Sequence, residues 1–304
     1  MAEAAQNPVS QPEKVVITNR HGEKLVGLLH ETGSKELVIL CHGARSHKGD
    51  NIMTKLALAL KKEGISAFCF DFAGNGESEG TFQFGQYWRE VDDLHAVVQH
   101  FSGTNHTVSA ILGHSKGGDE VLLYASKYGD VRTVVNVSGR YDLNGGLELR
   151  LGKNFMERIK KQGYLDIKDK TGTDKRAERG MDISSFSSYG IFSPQFLDIG
   201  FVAMLVGTFD CRVTEESLLD RMNTKMHESC LKIAKDCRVL TVHGSDDDVI
   251  PVGDALEFAK IIPNHKLHVI QGADHYYSDH QAELASTILE FLKAAFQEDK
   301  TTSN

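Results

Sequence analysis

Short apolar, β-branched runs alternate with stretches of helical period along most of this chain, and that alternation restricts the fold more than anything else in it. Strands are predicted at Val15–Thr18, Leu25–His30, Leu37–His42, Ser66–Asp71, Val108–Leu112, Val131–Ser138, Val239–His243 and Lys266–Ile270. Helices are predicted at Ile52–Glu63, Tyr87–Phe101, Gly117–Tyr128, Glu215–Lys235, Gly253–Ile261 and Ser278–Gln297. Repeated strand–helix alternation points to an α/β fold, a mainly parallel eight-stranded sheet with helices on both faces. Sites in such sheets lie at the carboxyl ends of the strands, so motifs that follow strands converge on one edge.

One stretch breaks the rhythm. Residues 140–210 hold the charged run Lys153–Arg179 and then the apolar, aromatic run Phe186–Phe209, without regular alternation. A structureless loop of that length is unusual, so short helices are expected. Its place after the sixth strand suits a cap over the site; a contact between copies or a disordered flap is the alternative. The domain plan is a polar tail at 1–13, a core of 14–139 and 211–296, the cap at 140–210 and a polar tail at 297–304.

The 304 residues carry 34 basic and 42 acidic side chains, a net charge of −8, which argues against nucleic acid as a partner. No apolar run approaches the roughly 20 residues that span a bilayer. The start, MAEAAQNPVSQPEK, has no apolar core and is not read as a secretory signal. The five cysteines form no CxxC pair, and Cys41 and Cys69 sit inside strand-like runs. A reduced, cytoplasmic protein is the simplest expectation. The histidines show no metal-ligand spacing, and neither a metal nor a cofactor is expected.

The chemistry concentrates in Ala110–Gly118, AILGHSKGG, an apolar strand that turns tightly into a helix at Ser115. Such a turn presents a hydroxyl at a helix N-terminus, where N–H groups and the dipole favour negative charge. That is the environment of a nucleophilic serine. Gly113 and Gly117 lack the Cβ atoms that would clash where strand and helix pack. Gly76–Gly80 matches the same Gly-x-Ser-x-Gly pattern around Ser78, but its flanking glutamates and lack of a following apolar helix mark it as a loop.

A serine nucleophile needs a base, and the base needs an orienting acid. His275, in Gly272-Ala273-Asp274-His275-Tyr276-Tyr277 after the last strand, is the base candidate. His42 and His114 are assigned to packing or supporting bonds, and His243 to the loop scaffold. The acid lies in His243-Gly244-Ser245-Asp246-Asp247-Asp248, where chemistry alone leaves the aspartates open. Asp247 is preferred, with Asp248 as the alternative. Two N–H donors must meet the developing negative charge: those of Lys116, directly after the serine, and Ala44, in the loop after the third strand. The Lys116 side chain reads either as a surface lysine beside Asp119 and Glu120 or as a group biasing the site towards acidic or phenolic substrates.

With these residues in place the chain resembles the α/β-hydrolase family. The match runs through His42-Gly43, Asp71-Phe72-Ala73-Gly74-Asn75-Gly76-Glu77-Ser78, GHSKGG, HGSDDDVIP and GADH, in order and spacing. Within the family it is most similar to cinnamoyl/feruloyl esterase-like serine hydrolases. The resemblance implies Ser115 as nucleophile, Asp247 as acid, His275 as base and Ala44 and Lys116 as oxyanion donors, without a cofactor. It makes Asp71 and Gly74–Ser78 scaffold under the site. A small, aromatic ester is the implied substrate. Phe186, Tyr189, Phe192, Phe196 and Phe201 are candidates to line its pocket or to form the core of the cap. Other acyl substrates (lipid esters, thioesters or amides), acyl transfer to an alcohol, or a receptor that retains the triad are the rival readings.

Overall fold

The structure, a computed structural model, describes residues 11–168 and 210–302. The aromatic residues from Phe186 to Phe201 and residues 1–10 of the first tail lie outside the described residues. The chain divides into two compact units. One takes in the chain as far as Phe82, Gln86–Leu143 and everything from Met222; the other is Gln83–Gly85 with Asn144–Arg221. The second unit thus begins and ends later than the expected 140–210 and draws in three residues from far upstream.

The first unit carries all eight predicted strands: β1 (Glu13–Thr18), β2 (Lys24–His30), β3 (Glu36–Cys41), β4 (Ser66–Phe70), β5 (Thr107–His114), β6 (Thr133–Val137) and, after the second unit's strands, β9 (Arg238–Gly244) and β10 (His265–Ile270). They form one sheet in the order β1-β2-β4-β3-β5-β6-β9-β10. β1 with β2 and β2 with β4 are antiparallel, and every other pairing is parallel. The central strands read as continuous apolar runs because both their faces are buried. Leu37, Ile39, Cys41, Phe68 and Phe70 enter one core cluster, while the alternate residues Val38, Leu40, Ala67 and Cys69 enter the other. The first cluster is covered by α2 (Tyr87–Ser102), α3 (Lys116–Lys127) and α8 (Val252–Ile261), the second by α1 (Asn51–Lys62) and α9 (Gln281–Thr302). Asp50 caps α1 by accepting from the Met53 N–H at 2.8 Å.

α9 corrects the expected C-terminal tail, since helix continues to Thr302. Acidic residues at a helix C-terminus oppose the dipole, but Glu298 and Asp299 pair with Arg238 of β9 at 3.4 and 2.7 Å. The same helix starts later than Ser278, because Asp274 binds the Ser278 N–H and hydroxyl at 2.8 and 2.7 Å and holds that residue in a turn.

The second unit contains α4 (Leu147–Leu151), α5 (Phe155–Gln162), and an antiparallel pair, β7 (Tyr164–Lys168) with β8 (Asp210–Thr214), and α6 (Glu215–Asn223) begins there. The short helices match the expectation; the strand pair does not. Its period-2 signal (Leu165 in, Asp166 out; Cys211 and Val213 in, Arg212 out) is hidden within a charged run and at the end of an apolar one. Arg212 sits opposite Asp166 in the register and grips its carboxylate at 2.8 and 3.0 Å. The single helix expected over Glu215–Lys235 is instead α6 followed by α7 (Met226–Cys230).

Asp93 of α2 is wholly buried and accepts from the Ala73 N–H at 3.0 Å and the Asn19 amide at 2.7 Å. Burial outweighs those hydrogen bonds and pushes its carboxyl up to about 7. Below the ordinary carboxylate range both folded and unfolded chains hold this proton. As pH rises through that range the unfolded chain releases it first, so stability falls until the folded group ionises. Asp93→Asn removes this dependence. Its melting temperature relative to wild type is expected to improve between pH 5 and pH 8, and a constant difference would refute the assignment.

Candidate active site

Ser115 stands between β5 and α3 with φ 57° and ψ −119°. A non-glycine residue in such a region costs about 1–3 kcal/mol and persists only where its surroundings over-determine it. Here the Ser115 N–H donates to the Val137 carbonyl at 2.8 Å, and the Ser115 carbonyl accepts from Gly118 at 2.9 Å. Close packing fixes the rest. A Cβ on Gly113 would lie 1.9 Å from the Gly117 carbonyl oxygen, and one on Gly117 would lie 2.4 Å from the Cys41 oxygen. Gly113→Ala is therefore expected to destabilise the fold by about 3 kcal/mol, read as a melting temperature lower by about 6–12 °C. An unchanged melting temperature would show that the elbow can shift to admit a methyl group.

His275 is 2 % exposed, in the turn after β10. Its Nε2 lies 3.1 Å from Ser115 Oγ, and its Nδ1 lies 2.8 Å from Asp247 Oδ2. A carboxylate accepts only, so Nδ1–H donates to Asp247 and Nε2 is left to accept from the serine. His114 supports the ring from below: its Nε2–H donates to the His275 carbonyl at 2.9 Å. Burial, with the neighbouring His275, pushes His114 down to about 4, so it stays neutral. Two residues on, the Tyr277 hydroxyl donates to the Val242 carbonyl at 3.1 Å and meets Ser138 Oγ at 2.8 Å, pinning the loop to the ends of β9 and β6.

Of the three aspartates, the structure brings Asp247 to His275, while Asp248 is exposed. Asp247 Oδ1 accepts from the Val249 and Ile250 N–H groups at 2.9 and 2.7 Å. His243, expected only to scaffold the loop, donates to the Ile250 carbonyl at 2.9 Å and also lies 3.3 Å from Asp247 Oδ2. Burial acts to raise the Asp247 carboxyl, but the hydrogen bonds from His243 and His275 hold it well below the usual range.

The loop after β3 runs beside the serine: a Cβ on Gly43 would lie 3.1 Å from Ser115 Cβ. His42 fixes this loop by donating from Nδ1 to the Gly43 carbonyl at 2.7 Å and accepting from Phe72 N–H at 3.1 Å. Asp71, wholly buried, accepts from the Lys48 N–H and Nζ, both at 2.6 Å, and from the Glu77 N–H at 2.9 Å. It thereby joins the loop after β3 to the glycine loop. The Ser78 hydroxyl is committed to that scaffold, donating to the Asp71 carbonyl at 2.6 Å and accepting from Val26 N–H at 2.8 Å.

Lys116 departs from the expected surface lysine. Its ammonium is buried, 2.5 Å from Glu90 of α2, 3.6 Å from Glu120 and 4.9 Å above the Tyr87 ring. Asp119 is engaged elsewhere, accepting from the Arg140 N–H at 2.6 Å. Glu90 is the residue that sequence reasoning missed, because a partner 26 positions away leaves no local signal. Among the described residues, no group of three or more His, Cys, Asp or Glu side chains is placed to hold a metal ion, and no helix is long and apolar enough to cross a membrane.

The family model described as serine aminopeptidase, S33, matches residues 32–189. Monoacylglycerol lipase ABHD6 of Rattus norvegicus is 23% identical over 279 residues, covering 88% of this chain and 78% of the relative. The bifunctional esterase/perhydrolase DCH of Acinetobacter calcoaceticus is 25% identical over 248 residues, covering 78% and 85%. Among solved structures, Est1E of Butyrivibrio proteoclasticus with bound ferulic acid superposes with a TM-score of 0.67 at 20% identity, covering 93% of this chain and 99% of that one.

Proposed function

The chain belongs to the serine aminopeptidase S33 family of α/β hydrolases, and on that footing we propose that it hydrolyses a small carboxylic ester through an acyl-enzyme on Ser115. The observation that carries the reading is the unbroken relay from Ser115 Oγ to His275 Nε2 at 3.1 Å and from His275 Nδ1 to Asp247 at 2.8 Å. Ser115 attacks the ester carbonyl as His275 takes its proton. Asp247 holds the imidazole tautomer and stabilises the imidazolium. The N–H groups of Ala44 and Lys116 receive the oxyanion. His275 then returns its proton to the leaving alcohol, and water activated by the same ring releases the acid.

The similarity to a ferulate-binding esterase fold favours an aromatic acyl group. The lipase-named relatives favour a monoacylglycerol as the second reading. Steady-state hydrolysis of a panel of short p-nitrophenyl esters, methyl cinnamate-type esters and a monoacylglycerol tests both. Sustained turnover with the highest kcat/KM on cinnamates supports the aryl reading, and a preference for the monoacylglycerol replaces it with the lipid one. The absence of turnover across the panel overturns the esterase proposal.

A further inference from the structure

We infer that the buried Lys116–Glu90 ion pair is a positioning element, which holds the Lys116 peptide so that its N–H points at the developing oxyanion. The inference rests on the ester-hydrolase reading and adds a residue, Glu90, that touches neither substrate nor the relay.

The nucleophile is followed by Lys116-Gly117-Gly118. The two glycines are imposed by contacts too close for any side chain, 2.4 Å from a Cβ on Gly117 to the Cys41 oxygen and 2.3 Å from one on Gly118 to the Asn136 amide oxygen. Between the strained Ser115 and Asp119, Lys116 is therefore the one residue with a side chain by which packing can grip this turn. A lysine ordinarily keeps its ammonium in water and leaves its stem free. Here the residue is 5 % exposed and its ammonium is fixed by Glu90 at 2.5 Å and by the face of Tyr87 at 4.9 Å. Both anchors lie on α2, so a neighbouring helix fixes the first residue of α3.

A buried ion pair is weak evidence for stability, because desolvation offsets the attraction. Its directionality is the more distinctive property. Glu120, one turn along α3, is wholly buried at 3.6 Å from the same ammonium. Burial and the charge of Glu90 push its carboxyl well up from the usual carboxylate range.

Lys116→Met keeps the stem and removes the charge, and Glu90→Gln keeps the shape of its partner. Each variant is to be assayed on a soluble aryl ester and titrated with an aryl boronic acid, which forms a tetrahedral serine adduct. A misplacement of about 1 Å costs about 100-fold in rate. The expected result is a loss of kcat of about 10–100-fold in both variants, KM within about threefold, and boronate affinity falling in step with kcat. A purely structural pair would lower the melting temperature and leave the kcat and boronate affinity of the folded fraction unchanged, which would overturn the inference. A fall in kcat with unchanged boronate affinity would also overturn it. Should Lys116→Met not fold, the near-isosteric Glu90→Gln decides alone. A wild type without Ser115-dependent turnover would remove the esterase reading and this inference together; an active wild type with undiminished variants removes only the inference.

Discussion

Ser115→Ala is expected to lower kcat for ester hydrolysis by on the order of 10⁶-fold, leaving only the acceleration that binding and the backbone donors supply on their own. The magnitude follows from the loss of a covalent path. Without Oγ, His275 has no proton to take, and the acid loop, the histidine loop and the two N–H donors surround an inert methyl group. The fold has little reason to change. Backbone bonds to Val137 and Gly118 hold residue 115 in place, and the hydroxyl adds a single side-chain contact, to His275. A melting temperature within about 2 °C of wild type is therefore the matching expectation. Initial rates on a p-nitrophenyl ester, with a melting curve for the same preparation, check both halves. A folded Ser115→Ala protein that keeps more than a thousandth of the wild-type rate would rule out Ser115 as the nucleophile.

Asp247→Asn is expected to cost about 10⁴-fold in kcat. In the wild type the carboxylate can only accept, which commits the proton to His275 Nδ1 and leaves Nε2 basic towards Ser115. An asparagine that turns its NH₂ towards Nδ1 would stabilise the opposite tautomer, with Nε2 protonated and unable to act as base. The opposite amide orientation brings the NH₂ against the N–H groups of Val249 and Ile250, both of which Oδ1 satisfies in the wild type. The same substitution has a stability signature. The folded Asp247 titrates well below the ordinary range, so its contribution is present above the unfolded value near pH 4 and is lost as pH falls through the folded one. The variant should lose less stability on acidification than wild type. Kinetics of Asp247→Asn beside Asp248→Asn decide the matter: a loss confined to Asp248→Asn would transfer the acid's role to its exposed neighbour.

What the sequence reveals and what it hides divide along physical lines. The eight strands are legible because runs such as Leu37–Cys41 are buried on both faces and so apolar at every position. GHSKGG is legible because its glycines answer contacts that any side chain would break. Position along the chain picks out His275 from the histidines, since the turn after the last strand is where an imidazole can reach the sheet edge. Lys116 misleads for the opposite reason. Its local neighbours Asp119 and Glu120 suggest an exposed pairing, while its main partner, Glu90, arrives from another helix. The pair β7 and β8 is hidden because its halves stand more than forty residues apart and each is embedded in a stretch of different character. The tail is misread because polarity alone does not reveal Arg238 waiting at the end of α9.

All five cysteines are buried free thiols, and they are shared between the two units. Cys41 and Cys69 lie on adjacent strands in the middle of the sheet, whereas Cys211 lies on β8 in the second unit. Burial raises the Cys41 and Cys69 thiols well above their ordinary range, so neither is a reactive thiolate in the closed fold. A small alkylating reagent can therefore reach them only when the surrounding structure opens, and the rate of labelling becomes a clock for that opening. Cys211 keeps time for the inserted unit and Cys41 and Cys69 for the sheet. Mapping which thiol is labelled first, over minutes or days, would reveal whether the molecule opens as one cooperative body or sheds one unit while the sheet remains shut.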